Sequence, residues 1–428
     1  MRNTPPQPGS SWSPEPQGRG GPEQSPAAPQ PEQVWAWPPV PGTGGAPAAQ
    51  AWAWPPPVQP RRTGSALGRP RPGTAYHRMA RTWRYRWWVP LVAIGVAVGL
   101  IIVVQLVLGM AAVIIALVNG YDATSDSFFG ATLPDLAFDL IVISTMTPLV
   151  MLVAWLIQRR PVGTLFSVTG RLRWRWMLAC SAIAVVPMAL SFVALAGLLR
   201  VTSPGTPFLG AFDGGSEFAG ALVIIVLLVP FQASAEEIAL RGFLFQAVGS
   251  IGAPADDPRG RGARVVSRVL RSPVLGILIS GTVFTLLHAY GSWGLLDVAV
   301  FGIAMGWLTW YTGGLEAAIG LHVVHNLAAF GLTAYEGALA DAGTGSGSWQ
   351  GVAATTVEVT LYCLVVAWLA RRVKVQRVVP DDPAVPAGQG YTPAPPTVWA
   401  AGPHPGNGGG ATAHHDPFRA PAAPRFRQ

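Results

Sequence analysis

Glu236, Glu237 and Arg241 stand together in an otherwise apolar stretch running from Phe218 to Val248. A charged side chain near the middle of a bilayer costs roughly 2.5–3.5 kcal/mol, so this grouping needs a physical reason. On a helix Glu237 and Arg241 are four apart and share a face. Glu ahead of Arg is the favourable order for an ion pair. Glu236 points about 100° away at 3.6 residues per turn and is left without a local partner. Two more apolar segments carry polar groups: Phe284-Thr285-Leu286-Leu287-His288 and His322-Val323-Val324-His325-Asn326. His322 and Asn326 share a helical face, with His325 partly on the same side. Histidine and asparagine in hydrocarbon need hydrogen-bond partners, so these residues should face the interior of a bundle.

One chemistry fits the set. A carboxylate and a histidine can activate a water. A second histidine and an amide can donate to the oxyanion that forms when this water attacks a peptide carbonyl. A covalent nucleophile is harder to find: Ser234 lies beside the glutamates, but neither a Gly-x-Ser-x-Gly nor a serine–lysine pattern surrounds it. Hydrolysis by direct attack of water is the leading inference. Two other readings stay open. The charges could lock helix packing in a non-catalytic scaffold or immunity protein. They could also form a proton relay in a transporter, which would come with internal repeats; none is visible in the sequence.

The elements that must position these residues are membrane helices. Half of the 428 residues are hydrophobic and 12% are charged, against about 25% charge in a soluble domain. Eight spans are predicted, near 88–117, 136–157, 176–199, 218–246, 272–290, 294–311, 315–333 and 354–370. The fifth, sixth and seventh are joined by very short turns at Gly291-Ser292 and Thr312-Gly313-Gly314, so they should pack as antiparallel neighbours. Cys180 and Cys363 both fall in predicted spans, as small packed hydrophobes and not as a bridge. The first apolar run starts only near Trp87, so no cleaved signal peptide is expected.

Charge orients the bundle. Arg81, Arg84 and Arg86 precede the first span; Arg159, Arg160, Arg171, Arg173 and Arg175 follow the second. Arg259, Arg261, Arg264, Arg268 and Arg271 follow the fourth; Arg371, Arg372, Lys374 and Arg377 follow the eighth. The alternate loops carry Asp122, Asp126 and Asp135, then Asp213 and Glu217, then Glu336 and Asp341. The positive-inside rule puts the basic loops and both termini in the cytoplasm of a multi-pass plasma-membrane protein. The net charge of +8 is therefore read as an orientation signal and not as a nucleic-acid footprint. The connection 161–175 mixes apolar residues with arginine and tryptophan; an amphipathic interfacial segment and a plain basic loop are equally open.

Residues 1–80 and 379–428 are rich in proline and glycine and are predicted to be disordered tails around a membrane domain at 81–378. Trp35-Ala36-Trp37-Pro38-Pro39 recurs as Trp52-Ala53-Trp54-Pro55-Pro56, which reads as a duplicated linker or a short recognition motif. His404, His414 and His415 lie in the second tail and are not expected to bind metal.

Glu-Glu-x-x-x-Arg at 236–241, Phe-x-x-x-His at 284–288 and His-x-x-x-Asn at 322–326, in that order on successive apolar segments, resemble the three motifs of the CPBP family. That family, also called ABI, includes type II CAAX prenyl endopeptidases, which cut prenylated C-terminal tails, and bacterial bacteriocin-processing and immunity proteins. The resemblance covers roughly residues 85–372 and implies an all-α polytopic membrane protein of about eight transmembrane helices. It also implies an intramembrane endopeptidase acting on a membrane-associated peptide or protein. By the resemblance Glu236 and His288 activate the water, Glu237 and Arg241 support the site, and His322 and Asn326 form the oxyanion hole. The family is commonly labelled metalloprotease. The expectation here is no tightly bound catalytic zinc, with Glu236, His288 and His322 as the ligands if one is held.

One tension accompanies this reading. Glu236 lies about 27 Å along its span from Phe218, and His288 about 24 Å from the opposite side. Straight helices would separate the two in depth; a kink at Pro230, a tilt or a deeper start of the fifth span would bring them together.

Overall fold

The computed structural model describes residues 67–121, 127–213, 215–252, 260–341 and 345–381, all within the unit Thr63–Gln428. The two tryptophan–proline repeats, the tail histidines, Asp122, Asp126 and Arg259 lie outside the described residues, as do the side chains of Arg261 and Asp341.

The fold is all-helical. In chain order the helices are α1 (Val89–Val118), α2 (Thr132–Ser144), α3 (Met146–Leu156), α4 (Trp174–Thr202) and α5 (Phe218–Glu237). A π-helical segment, Ile238–Leu244, leads into the short α6 (Phe245–Gly249). Then come α7 (Arg261–Leu270), α8 (Pro273–Leu286), α9 (Ser292–Thr312), α10 (Glu316–Tyr335) and α11 (Trp349–Arg372). Among the described residues seven helices are long and apolar enough to cross a membrane, or up to eight if the bent pair α7–α8 is one span. In that tally α2 and α3 form one run, as do α5 through α6. A broad belt of exposed Leu, Val, Ile and Trp on α1, α3, α4 and α5 suits helices surrounded by lipid, where apolar surface has no reason to be hidden.

Local chemistry explains the breaks. Pro148 removes the N–H that Ser144 would need for its carbonyl, and α2 gives way to α3 at Thr145. Pro230 does not interrupt α5, whose helix runs on to Glu237. The irregularity falls just after the two glutamates, where the turn widens into the π segment that carries Arg241; such bulges are frequent at functional sites. The α9–α10 turn closes through Gly313 in the left-handed region at φ 70°, the usual role of glycine after a helix. The short connection expected at Thr312-Gly313-Gly314 is therefore present.

Three buried clusters organise the bundle. One, at the end that carries the arginines, gathers Tyr76, Leu165, Phe243 and Phe245. A second joins α4, α8, α9, α10 and α11 through Cys180, Phe284, Phe301, Leu321 and Tyr362. The third ties α2 and α5 to α10 through Leu140, Ile225 and Ala334. Cys180 is buried, Cys363 is half-buried, and both are free thiols, as expected. The Tyr362 hydroxyl donates to the Ala317 carbonyl at 2.8 Å.

Two stretches outside the long helices pack against the bundle. The segment 161–175, for which the sequence leaves an interfacial segment and a plain loop equally open, forms a short 3-10 turn at Val162–Leu165 and then an irregular connection. Ser167 bridges Gly314, Val168 N donates to Gly313 O at 2.9 Å, and Leu315 N donates to Phe166 O at 2.8 Å. Leu165, Ser167 and Val168 are buried, and Arg160 is buried too, donating to Gln158, Thr164 and Gln246. Burial lowers this guanidinium from its ordinary value to about 10, so it stays charged near neutral pH. The amphipathic helix is α7 instead, with Val265, Val266 and Val269 beside Arg264 and Arg268. Residues 68–79 also meet the bundle. Gly68 N donates to Arg159 O at 2.6 Å, Gly73 N donates to Val379 O at 2.9 Å, and Tyr76 and Met79 are buried.

Candidate active site

Two adjacent glutamates at the end of α5 face different surroundings. Glu237 is sealed: Arg241 donates to it at 2.8 Å, and neither side chain is exposed. Arg241 also donates to the Gly302 carbonyl at 3.1 Å and lies 4.4 Å over the Phe284 ring. The helix spacing thus delivers the predicted ion pair, and α8 and α9 complete its cage. The approach is close at Gly302, where an added Cβ would come to 3.0 Å from Phe284 and 3.3 Å from Arg241 Nη2.

Glu236 faces a cavity of about 900 Å³. Gln232, one turn earlier on α5, donates to one of its oxygens at 2.8 Å. The other oxygen lies 3.3 Å from His322 Nε2 and makes no hydrogen bond. His322 Nδ1 is 2.8 Å from the Glu237 carboxylate. A carboxylate only accepts, so Nδ1 carries the proton, and the ring presents Nε2 to Glu236. Asn326, one turn along α10, donates its amide to Gln232 at 3.1 Å.

His288 follows α8 and lines the same cavity as Glu236, His322 and Asn326. Its Nδ1 is 2.8 Å from the Phe284 carbonyl. The Phe284 ring lies between the histidines, 4.7 Å from His288 and 5.7 Å from His322. The depth tension resolves through the fifth span. α8 has only 14 residues, about 21 Å of helix, and it bends by 48° from α7. The cavity is deep enough to be lined by both Glu236 and His288, but the residue facing Glu236 at short range is His322. Glu237 and Arg241 lie behind the cavity wall.

Three polar residues outside the motifs shape this region. Gln232 connects Asn326 to Glu236. Glu358 of α11, itself buried, holds His325 Nδ1 at 3.0 Å. Asp297 of α9 lines the cavity, with one buried oxygen that makes no hydrogen bond. The rule that singled out Glu236 would have found them, because each is a polar or acidic side chain in an apolar helix. Among the described residues no three His, Cys, Asp or Glu side chains gather in a way that could hold a metal ion. His322 Nδ1 lies against the Glu237 carboxylate and its Nε2 against Glu236, and His288 Nδ1 lies against the Phe284 carbonyl.

Residues 218–328 match the family described as Type II CAAX prenyl endopeptidase Rce1-like. The Rce1-like stretch runs from the start of α5 into α10 and contains Glu236, Glu237, Arg241, His288, His322 and Asn326. The resemblance drawn from the three motifs and the family match therefore agree, and at family level the Rce1-like stretch is similar to CAAX-type intramembrane proteases. The chain is also 26% identical over 202 residues to the uncharacterized protein YyaK of Bacillus subtilis (strain 168). That alignment covers 46% of this chain, and the chain spans 60% of the length of YyaK. No solved structure matches.

Proposed function

We propose that the chain is an intramembrane endopeptidase that hydrolyses a peptide bond by direct attack of water, in the cell membrane with both termini cytoplasmic. The observation that carries this is the shared cavity. Glu236, His288, His322 and Asn326 line it together, while the Glu237–Arg241 pair braces it from behind.

Glu236 is the base. Its carboxylate lines the cavity, where it takes a proton from water as the water oxygen bonds to the peptide carbonyl carbon. His288, on the cavity wall, helps hold that water. His322 and Asn326 supply hydrogen bonds to the resulting oxyanion; this role requires His322 to carry a proton on Nε2 as well as Nδ1, and Asn326 to release Gln232. Collapse of the intermediate breaks the C–N bond, and the departing amine takes the proton held by Glu236. Glu237 fixes the orientation of His322, and Arg241 balances Glu237 charge.

The test is cleavage. Purified wild type in detergent is incubated with a broad peptide library beside Glu236→Ala and His322→Ala. Cleavage by wild type and its loss in both variants is the expected result. No cleavage by wild type, or equal cleavage by the variants, overturns the proposal. A zinc chelator added to wild type should leave the rate unchanged; inhibition reversed by zinc would overturn the metal-free route.

A further inference from the structure

The connections between helices sit at two ends, and the ends differ in charge. At one end Arg78 donates to the Gly249 and Ile251 carbonyls at 3.1 and 3.2 Å. His77 meets the Arg271 carbonyl at 2.9 Å, and Arg173 reaches the Gln376 carbonyl at 2.9 Å. This brings the collar before α1, the α6–α8 segment and the chain after α11 to one side, with their arginines. At the other end Asp213 N donates to Tyr335 O at 3.0 Å, and Gly291 N donates to Gly345 O at 3.2 Å. Asp135, Asp213, Glu217 and Glu336 belong to this end, and Arg200 is its one lysine or arginine among the described residues.

The cavity extends toward the acidic end. Its α10 wall climbs through His322, Asn326, Ala329 and Thr333, about 16 Å of helix at 1.5 Å per residue. Its α9 wall climbs through Phe301, Val298 and Gly294. It reaches Thr132 at the start of α2, Tyr290, and Gly345 in the α10–α11 loop. Toward the basic end it stops at Glu236 and His322. Beyond them lie Arg241, Phe245, Tyr76 and Leu165, all fully buried. Arginine-rich connections mark the cytoplasmic side of a membrane protein, so the closed end faces the cytoplasm. Asp139 and Asp297 line the cavity, and no lysine or arginine does so among the described residues. A free C-terminal carboxylate would meet no fixed cation there, whereas a basic segment meets acidic walls.

We propose that the cavity takes its substrate from the non-cytoplasmic face, as a positively charged segment of a polypeptide that has already crossed the membrane. The substrate class rests on the endopeptidase reading; the facing of the cavity does not.

Two experiments separate these parts. In the first, Cys180→Ala and Cys363→Ala remove the native thiols, and Gly345→Cys or Arg372→Cys is added singly. Gly345 has open space for a Cβ, and Arg372 is exposed at the basic end. A membrane-impermeant maleimide is applied to intact bacterial spheroplasts expressing the full chain. Labelling of Gly345→Cys in intact cells, and of Arg372→Cys only after permeabilisation, is expected; the reverse pattern overturns the facing. A fluorescent protein that matures only in the cytoplasm, fused to the C-terminus of the otherwise unaltered chain, should fluoresce, and darkness of a fusion present at full length overturns the facing without any substitution. In the second experiment, wild type in detergent receives soluble peptides of equal length, lysine-rich or glutamate-rich around the cut, and a prenylated peptide with a free C-terminal carboxylate. The lysine-rich peptide should be cut at least tenfold faster in kcat/KM, with an advantage that shrinks as salt rises. Equal rates, or preference for the carboxylate-ended peptide, overturn the substrate class. Cleavage of no peptide overturns that class together with the endopeptidase reading, while the labelling still decides the facing.

Discussion

Glu236 and Glu237 are neighbours in the chain and opposites in surroundings. Around Glu237 every partner is protein: Arg241, His322 Nδ1, and behind them Gly302 and Phe284. Around Glu236 one oxygen takes the Gln232 amide, the other lies 3.3 Å from His322 Nε2, and the side chain lines the cavity. The contrast shows how an apolar bundle can hold two adjacent carboxylates for different ends. One is neutralised by an ion pair made within its own helix, and its purpose is to aim a histidine. The other lines the cavity, and chemistry can be asked of it. The most direct way to break the comparison is to exchange the burdens. Glu236→Gln keeps the shape and the contact with Gln232 but removes the base. It should lower the cleavage rate by about 10²–10⁴-fold, with the thermal unfolding of the detergent-solubilised protein unchanged. A variant that unfolds earlier would show Glu236 to be structural like its neighbour.

The reciprocal change is Arg241→Met. It fills similar space but strands Glu237 in a buried site without its cation, which should cost about 3–5 kcal/mol of stability. The readout is the unfolding midpoint of purified protein. Activity should fall only as far as folded protein is lost and His322 loses its aim. A fully stable Arg241→Met would mean that Glu237 is not charged in the folded state, and the division of labour between the two glutamates would fail.

How much of this was legible in the sequence follows the same line. The spans could be read because long apolar runs leave few alternatives in a bilayer. The Glu237–Arg241 pair could be read because its partners are four residues apart on one helix. The partnership of Glu236 with His322 could not: it joins α5 to α10, and spacing along a chain says nothing about which helices touch. Family motifs supplied the residues but left their contacts open. Gln232 is legible in principle, four residues before Glu236 on an apolar helix, but an uncharged amide is a weaker signal than a charge. α7 was hidden for another reason. Its arginines read equally well as an orientation signal, and the valines among them make only a short helical face. The ordered segment before α1 was hidden because its hydrogen bonds run to carbonyls far along the chain, where neither composition nor periodicity leaves a trace.

Gln232 gives the comparison a finer test. It lies on the cavity side and receives the Asn326 amide while donating to Glu236. Gln232→Ala removes a hydrogen bond to a charged group, worth about 1.5–3 kcal/mol, and frees Asn326. If Gln232 positions the base, the cleavage rate falls tenfold or more, chiefly in kcat, and the pH profile of kcat/KM moves with it. If it only packs, neither kcat nor the pH profile moves.

The smallest effect is expected where the two regions meet. Gly302 offers its carbonyl to Arg241 and its open α-carbon to Phe284, whose ring also lies against His288 and His322. Gly302→Ala adds one methyl group, 3.0 Å from Phe284 and 3.3 Å from Arg241, distances that the neighbours must relieve by a few tenths of an ångström. The cost should be about 1 kcal/mol, the low end for overpacking a core. Because the carbonyl is untouched, the strain should appear on the Phe284 side, as a modest loss of thermal stability with the cleavage rate within about threefold, or roughly 0.7 kcal/mol. A large loss of activity with unchanged stability would reverse the assignment. It would mean that the Phe284 ring sets the spacing of His288 and His322, and that the boundary between brace and cavity is itself part of the chemistry.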